Sequence, residues 1–153
     1  MSTPSRVLAF GVASGVIWSL VPSTLSELFR SPGETATVIV SGILSGILTS
    51  FALAAPLARF GHGAAILFGT LSLPLGAFTF GVLLSLVQWL VRDFSGTAYQ
   101  FVAYGFAPLT VGAQYAVLSV ISVFAFVLFP LAVLTTFLLR RVIHSGHGHE
   151  HAS

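Results

Sequence analysis

Charged residues are absent from three long stretches of this chain: 35–57, 63–91 and 94–139. A helix rises about 1.5 Å per residue, so roughly 20 apolar residues cross a bilayer core about 30 Å thick. Each of the three stretches exceeds that length. The sequence therefore predicts a chain whose surroundings are mostly hydrocarbon.

The composition supports the same interpretation. Hydrophobic residues make up 56% of the 153-residue chain and charged residues 7%, whereas a soluble domain is about a quarter charged. The sequence predicts one transmembrane domain over residues 1–141 and a flexible tail over 142–153. Cysteine is absent, which excludes disulfides and thiol chemistry. A net charge of +2 is too small for a nucleic-acid-binding surface, so we expect no nucleic-acid partner.

Four membrane crossings are expected, and the predicted fold is an all-α bundle of four transmembrane helices with short loops. The predicted spans are 7–22, 35–58, 64–91 and 109–139. The first span resembles a signal peptide, but it follows a single arginine and lacks a small-residue cleavage site, so we expect it to be retained. Thr24 and Glu27 have the spacing of a capping box, which predicts a short helix over 25–30.

The last predicted span is longer than one bilayer thickness, so it must tilt, bend or protrude. Pro74 and Pro130 lie inside predicted spans and predict kinks, because proline removes one backbone hydrogen bond. The aromatic-rich connection 93–108 fits either a segment on the membrane surface or one that dips partway in.

Arginines predict the orientation. With four crossings, one side of the membrane carries Arg6, Arg59, Arg140 and Arg141, and the other side carries two arginines accompanied by acids. The positive-inside rule therefore places both termini in the cytoplasm. Abundant Ala, Gly, Val and Leu without any lysine is typical of a bacterial source, which predicts the inner membrane.

Small residues at four-residue spacing are the clearest interaction signal, because close backbone approach holds helices together in lipid. Two interpretations stay open: these faces pack the chain's own bundle, or they receive another subunit. The predicted packing residues are Gly11, Gly15, Ser41, Gly42, Ser45 and Gly46.

Ionisable residues are missing from the middle of every predicted span. Proton relays and coupled ion sites need such groups at membrane depth, and no acid pair or Ser-His-Asp arrangement is available for catalysis. We therefore expect no enzymatic activity and no cofactor. Gln88 and Gln114 are polar groups expected on the outer side, where they would form a small vestibule.

The tail contains four histidines within eight residues: His144, His147, His149 and His151. Imidazoles bind Zn²⁺, Ni²⁺ or Cu²⁺, so weak divalent-metal binding is one interpretation. The other is a solvated, weakly basic segment, because intervening glycines leave the ligands unorganised.

The leading functional hypothesis is a non-catalytic subunit that packs against a larger membrane complex and stabilises or organises it. It predicts as partners the lipid bilayer and other membrane subunits or further copies of this chain. The rival hypothesis is a small transporter or oligomeric channel, since broken helices create binding sites at depth. Metal handling by the tail is a third hypothesis.

Overall fold

Five α-helices make up the described part of the computed structural model, which covers residues 3–25, 32–60, 62–92, 107–122 and 125–144. No strand occurs in those ranges, so the all-helical prediction is confirmed there. The helices are α1 (Thr3–Leu25), α2 (Pro32–Arg59), α3 (His62–Arg92), α4 (Ala107–Ile121) and α5 (Ala125–His144).

Three of the helices contain apolar stretches long enough to cross a membrane: Thr35–Arg59, Ala65–Leu90 and Ala125–His144. The apolar stretch of α4, Pro108–Ile121, is shorter. These lengths indicate a membrane protein. The finer prediction of a four-span bundle is not confirmed, because only three described stretches meet the length and hydropathy of a span.

Two apolar clusters at opposite ends of the helices define the topology. The first joins Val7 of α1, Leu57 of α2, Ala65 of α3 and Leu139 of α5, and it is completed by Leu53 and Ile143. It therefore gathers the start of α1, the end of α2, the start of α3 and the end of α5. Helices α1, α2 and α3 thus run alternately up and down, and α5 runs antiparallel to α3.

The second cluster lies at the other end and joins Val38 of α2 to Phe80 and Leu84 of α3, with Tyr115 of α4 against them. Helix α1 packs mainly on α2, and α4 packs mainly on α3. Helix α5 contacts α1, α2 and α3. Helices α4 and α5 run in the same direction along successive parts of α3, so together they form one interrupted pass.

The predicted single helix over 109–139 is the main difference between expectation and structure. The structure divides this stretch after Ile121, with Ser122 outside both helices. Helix α4 meets α3 where Gly112 lies against Gly81, whereas α5 meets α3 where Val133 lies against Gly69. The two close contacts lie on different parts of α3, and the interruption lets each segment adopt its own packing against α3.

Helix ends also differ from the predicted spans. Helix α1 continues past Pro22 to Leu25, and α5 continues to His144, so residues 142–144 are helical rather than part of the tail. Ile143 is only 3% exposed and belongs to the first apolar cluster, which explains the extension. Of the predicted short helix 25–30 only Leu25 is described, and of the connection 93–108 only its last two residues, which are helical.

Candidate ligand-binding cavity

The predicted packing glycines of α1 and α2 lie against one another. A Cβ atom built on Gly11 would stand 2.8 Å from the Cα of Ile47, and one built on Gly46 would stand 2.6 Å from the Cα of Gly15. A Cβ on Gly15 would meet the carbonyl oxygen of Gly42. The backbones therefore approach so closely that a methyl group has no room, and these faces pack the chain's own helices.

The two predicted packing serines of α2 have different contacts from its glycines. Ser45 Oγ donates a hydrogen bond to the carbonyl oxygen of Gly76, 3.0 Å away on α3, so it ties the two helices together. Ser41 is fully buried, and its Oγ has no hydrogen-bond partner among the described residues. The predicted small-residue face of α2 thus contributes to two different contacts, with α1 through glycine and with α3 through serine.

All five helices contribute to the wall of a cavity of about 450 Å³. Its wall includes the middle of α1 (10–18), of α2 (42–53) and of α3 (72–80). Helices α4 and α5 line it on both sides of their interruption, from Tyr115 to Ser119 and from Leu128 to Leu139, and Ser122 lines it just after α4 ends. The cavity therefore lies at mid-depth, next to the break in the last pass.

The lining is mainly apolar and carries no charged side chain among the described residues. Aromatic rings contribute to it through Phe10, Trp18, Phe80 and Tyr115. The rings of Phe80 and Tyr115 pack edge to face with their centroids 5.5 Å apart. The wall thus offers a hydrocarbon-like environment with a few hydroxyl groups.

Most cavity hydroxyls that donate hydrogen bonds do so within their own helix, as Ser and Thr do in membrane helices. Each reaches a carbonyl three or four residues earlier: Ser14 Oγ to Gly11 (3.2 Å), Ser72 Oγ to Gly69 (2.7 Å), Ser119 Oγ to Ala116 (2.7 Å), Thr135 Oγ1 to Leu131 (2.7 Å) and Thr136 Oγ1 to Ala132 (2.9 Å). These hydroxyls are already satisfied without a ligand.

Gly76 forms an open part of the wall. A Cβ built on it would have only the Thr49 hydroxyl within 4 Å, at 3.9 Å. The open space at Gly76 contrasts with the crowding around the glycines of α1 and α2. A side chain placed at Gly76 has room to grow into the cavity without displacing backbone.

Gln88 and Gln114 do not line this cavity. Gly81 of α3 faces Gly112 of α4, and the two helices are antiparallel. Gln88 lies seven residues beyond Gly81, and Gln114 lies two residues beyond Gly112 in the opposite direction. At 1.5 Å per residue this separates them by about 13 Å along the helices, so the structure does not bring them together in one vestibule.

Pro74 and Pro130 lie inside α3 and α5, which continue through them. The histidine tail falls outside the described residues except for His144, whose Nδ1 lies 3.0 Å from the carbonyl oxygen of Arg140 at the end of α5. Within the described ranges no three His, Cys, Asp or Glu side chains are grouped to hold a metal ion. Metal binding by the tail stays a prediction.

Sequence reasoning missed the contact between α3 and α4. A Cβ on Gly81 would stand 2.9 Å from the Cα of Gly112, and one on Gly112 would stand 2.6 Å from Val82 Cγ2. Neither helix has two glycines four residues apart at this point, so the sequence signal was absent. Single glycines on separate helices reveal a close contact only once the pairing of the helices is known.

Comparisons of the chain with family models, with curated proteins and with solved structures give no match.

Proposed function

We propose that this chain is a non-catalytic membrane protein that binds a small, uncharged, mainly apolar molecule in its central cavity and carries it within or across the bilayer. The observation that supports this proposal most directly is the cavity of about 450 Å³ at mid-depth. Ligand sites for small molecules typically measure about 300–1,000 Å³ and are mostly apolar with a few polar groups.

The chemistry of the wall favours an uncharged ligand. Its described residues include aromatic rings, aliphatic side chains and hydroxyls, without any acid, base or histidine. An ion taken from water into such surroundings loses its hydration without gaining a counter-charge, which is costly. The same composition offers neither a carboxylate nor an imidazole as general acid or base, which supports a binding role over a catalytic one.

The interrupted last pass favours movement of the ligand. Residues lining the cavity flank the interruption on both sides, with Ser119 in the last turn of α4 and Leu128 near the start of α5. Transporters commonly place their binding sites at discontinuous helices near the bilayer midplane. The rival transport hypothesis therefore gains support, in a form restricted to uncharged molecules.

A tryptophan quenching experiment tests the proposal. Trp18 lines the cavity, and Trp89→Phe leaves it as the single tryptophan of the chain. Bromododecane titrated into nanodiscs should quench Trp18 saturably, because bromine quenches indole on contact. Gly76→Leu, which places a side chain in part of the cavity, should weaken the saturable component. Gly63→Leu is the matched control, since a Cβ at Gly63 meets nothing within 4 Å. Equal quenching in both variants would contradict the proposal.

An accessory subunit is the second candidate function. The glycine faces that suggested it are occupied by the contact between α1 and α2. The outer face of α4 is left for a partner, with Val117 56% and Ile121 70% exposed and the small Ala113 on the same helix. A heteromeric particle of fixed stoichiometry, extracted in a gentle detergent, would support this candidate. With either function, we propose a bacterial inner-membrane location with both termini in the cytoplasm.

A further inference from the structure

The cavity lies between the two apolar clusters of the helices. Leu53 and Leu139 belong to the first cluster and also line the cavity. Phe80 belongs to the second cluster, Tyr115 packs against it, and both line the cavity. Within the described part of the chain, apolar side chains thus separate the cavity from both ends of the helices. A route into the cavity must therefore pass between helices.

The helices around the cavity are packed together in one half of the molecule and separated in the other. In the half that contains the first cluster, α5 contacts α1, α2 and α3 and closes the wall. In the other half, α1 packs on α2, and α4 packs on α3. Helices α1 and α4 do not pack against each other within the described ranges, so a gap separates them.

This gap lies at the depth of the cavity. Gly15 of α1 lies against Gly42 of α2. Val38, one turn away from Gly42 along α2, shares the second cluster with Tyr115 of α4. Because α1 runs antiparallel to α2, Trp18 lies near the level of Val38 and therefore near that of Tyr115. Both Trp18 and Tyr115 line the cavity, one on each side of the gap.

The cavity wall reaches the outer surface on the two helices that border the gap. Leu118 of α4 lines the cavity and is nevertheless 55% exposed. Ser14 and Trp18 of α1 also line it and are partly exposed. By contrast, α2 and α3 contribute buried lining residues, such as Leu53 and Leu73. The wall and the surface therefore meet between α1 and α4.

We propose that the cavity opens sideways, between α1 and α4, into the hydrocarbon of the bilayer, and that its ligand enters there as a molecule already dissolved in the membrane. This inference rests on the proposed function and adds the class of ligand: a bilayer-soluble hydrophobic molecule rather than a water-soluble solute. Apolar molecules leave water for hydrocarbon, and this opening admits them without a passage through water. Leu118 is the side chain at the rim of the opening.

Fluorine NMR of the protein in nanodiscs tests this route. The probe is a dodecane with a terminal trifluoromethyl group, and exchange between its bilayer and cavity resonances gives the rates of entry and exit. The chain has no cysteine, so Leu118→Cys can be alkylated with N-cyclohexylmaleimide in detergent before reconstitution. The bulky ring at the rim should slow both entry and exit roughly tenfold, which corresponds to about 1.4 kcal/mol of added barrier.

Val117→Cys is the matched control. Val117 is 56% exposed on the same helix but does not line the cavity, so the same ring at this position should leave both rates unchanged. Leu118→Ala, which removes bulk from the rim, should speed entry. Equal entry rates in the two alkylated proteins would overturn the inference. Faster exit with unchanged entry would also overturn it, because it would show that the ring only takes up space in the cavity.

The two proposals fail in different ways. If the wild-type protein shows no cavity resonance that exchanges with the bilayer probe, the cavity is not a binding site and the proposed function falls. If the wild-type protein binds the probe and alkylation at position 118 leaves the entry rate unchanged, only the sideways opening is overturned.

Discussion

A methyl group has very different surroundings at Gly15 and at Gly76, although both glycines line the cavity. At Gly15 it would stand 2.7 Å from the Cα of Ile43, which is backbone and cannot give way. At Gly76 the nearest atom is the Thr49 hydroxyl at 3.9 Å. The same substitution should therefore have opposite effects at the two positions.

Gly15→Ala should lower the free energy of unfolding by about 1–3 kcal/mol, the usual cost of overpacking. Gly76→Ala should raise it by about 0.5–1 kcal/mol, because alanine stabilises a helix interior relative to glycine. Unfolding of both variants in the same detergent micelles measures the difference. A stabilised Gly15→Ala protein would contradict the close contact of α1 with α2.

The hydrogen bond from Ser45 to the Gly76 carbonyl predicts a smaller effect. Ser45→Ala removes a bond between two helices, and such bonds contribute about 0.6 kcal/mol on average in membrane proteins. Ser72→Ala is the control, because its hydroxyl donates within α3 to Gly69. The free energy of unfolding should fall more for Ser45→Ala than for Ser72→Ala, and the reverse order would contradict the contact.

At the scale of the elements, the long apolar stretches predicted α2 and α3 closely, because length and hydropathy alone define such helices. The division of α4 from α5 was not predictable in the same way. Residues 119–125 contain neither proline nor glycine, so no local signal marks the interruption. The interruption occurs where the chain packs against two different parts of α3. Those contacts join residues that are far apart in the sequence, so no local sequence pattern reveals them.

Proline substitutions test the start of α5. Proline is tolerated in the first turn of a helix but costs about 3 kcal/mol in the interior. Phe126 is 88% exposed in the first turn of α5, and Leu134 is 54% exposed in its interior. Phe126→Pro should therefore have a free energy of unfolding close to that of Phe126→Ala. Leu134→Pro should have a far lower free energy of unfolding than Leu134→Ala. Equal losses of stability in the two proline variants, each relative to its alanine control, would indicate one continuous helix over 109–139.

In the whole molecule, the structure places Arg59, the start of α1 and the end of α5 at one end of the helices. The sequence predicted this grouping from the number of crossings. The cavity was not predictable, because its wall combines residues from five helices whose pairing no sequence pattern gives.

The orientation is testable because the chain has no cysteine. Phe60 lies at the connection between α2 and α3 and is 54% exposed. A membrane-impermeant maleimide should label Phe60→Cys in inverted membrane vesicles and leave it unlabelled in intact cells, because the positive-inside rule places this connection in the cytoplasm. Labelling in intact cells would reverse the predicted orientation.

Native mass spectrometry of the protein released from its own membrane would show whether the cavity holds a ligand. We expect a particle that carries one small uncharged molecule per chain. Gly63→Leu should retain that molecule, and Gly76→Leu should carry less of it because the leucine side chain occupies part of the cavity. A wild-type particle without a bound molecule, or equal occupancy by the ligand in Gly63→Leu and Gly76→Leu, would contradict a central binding site.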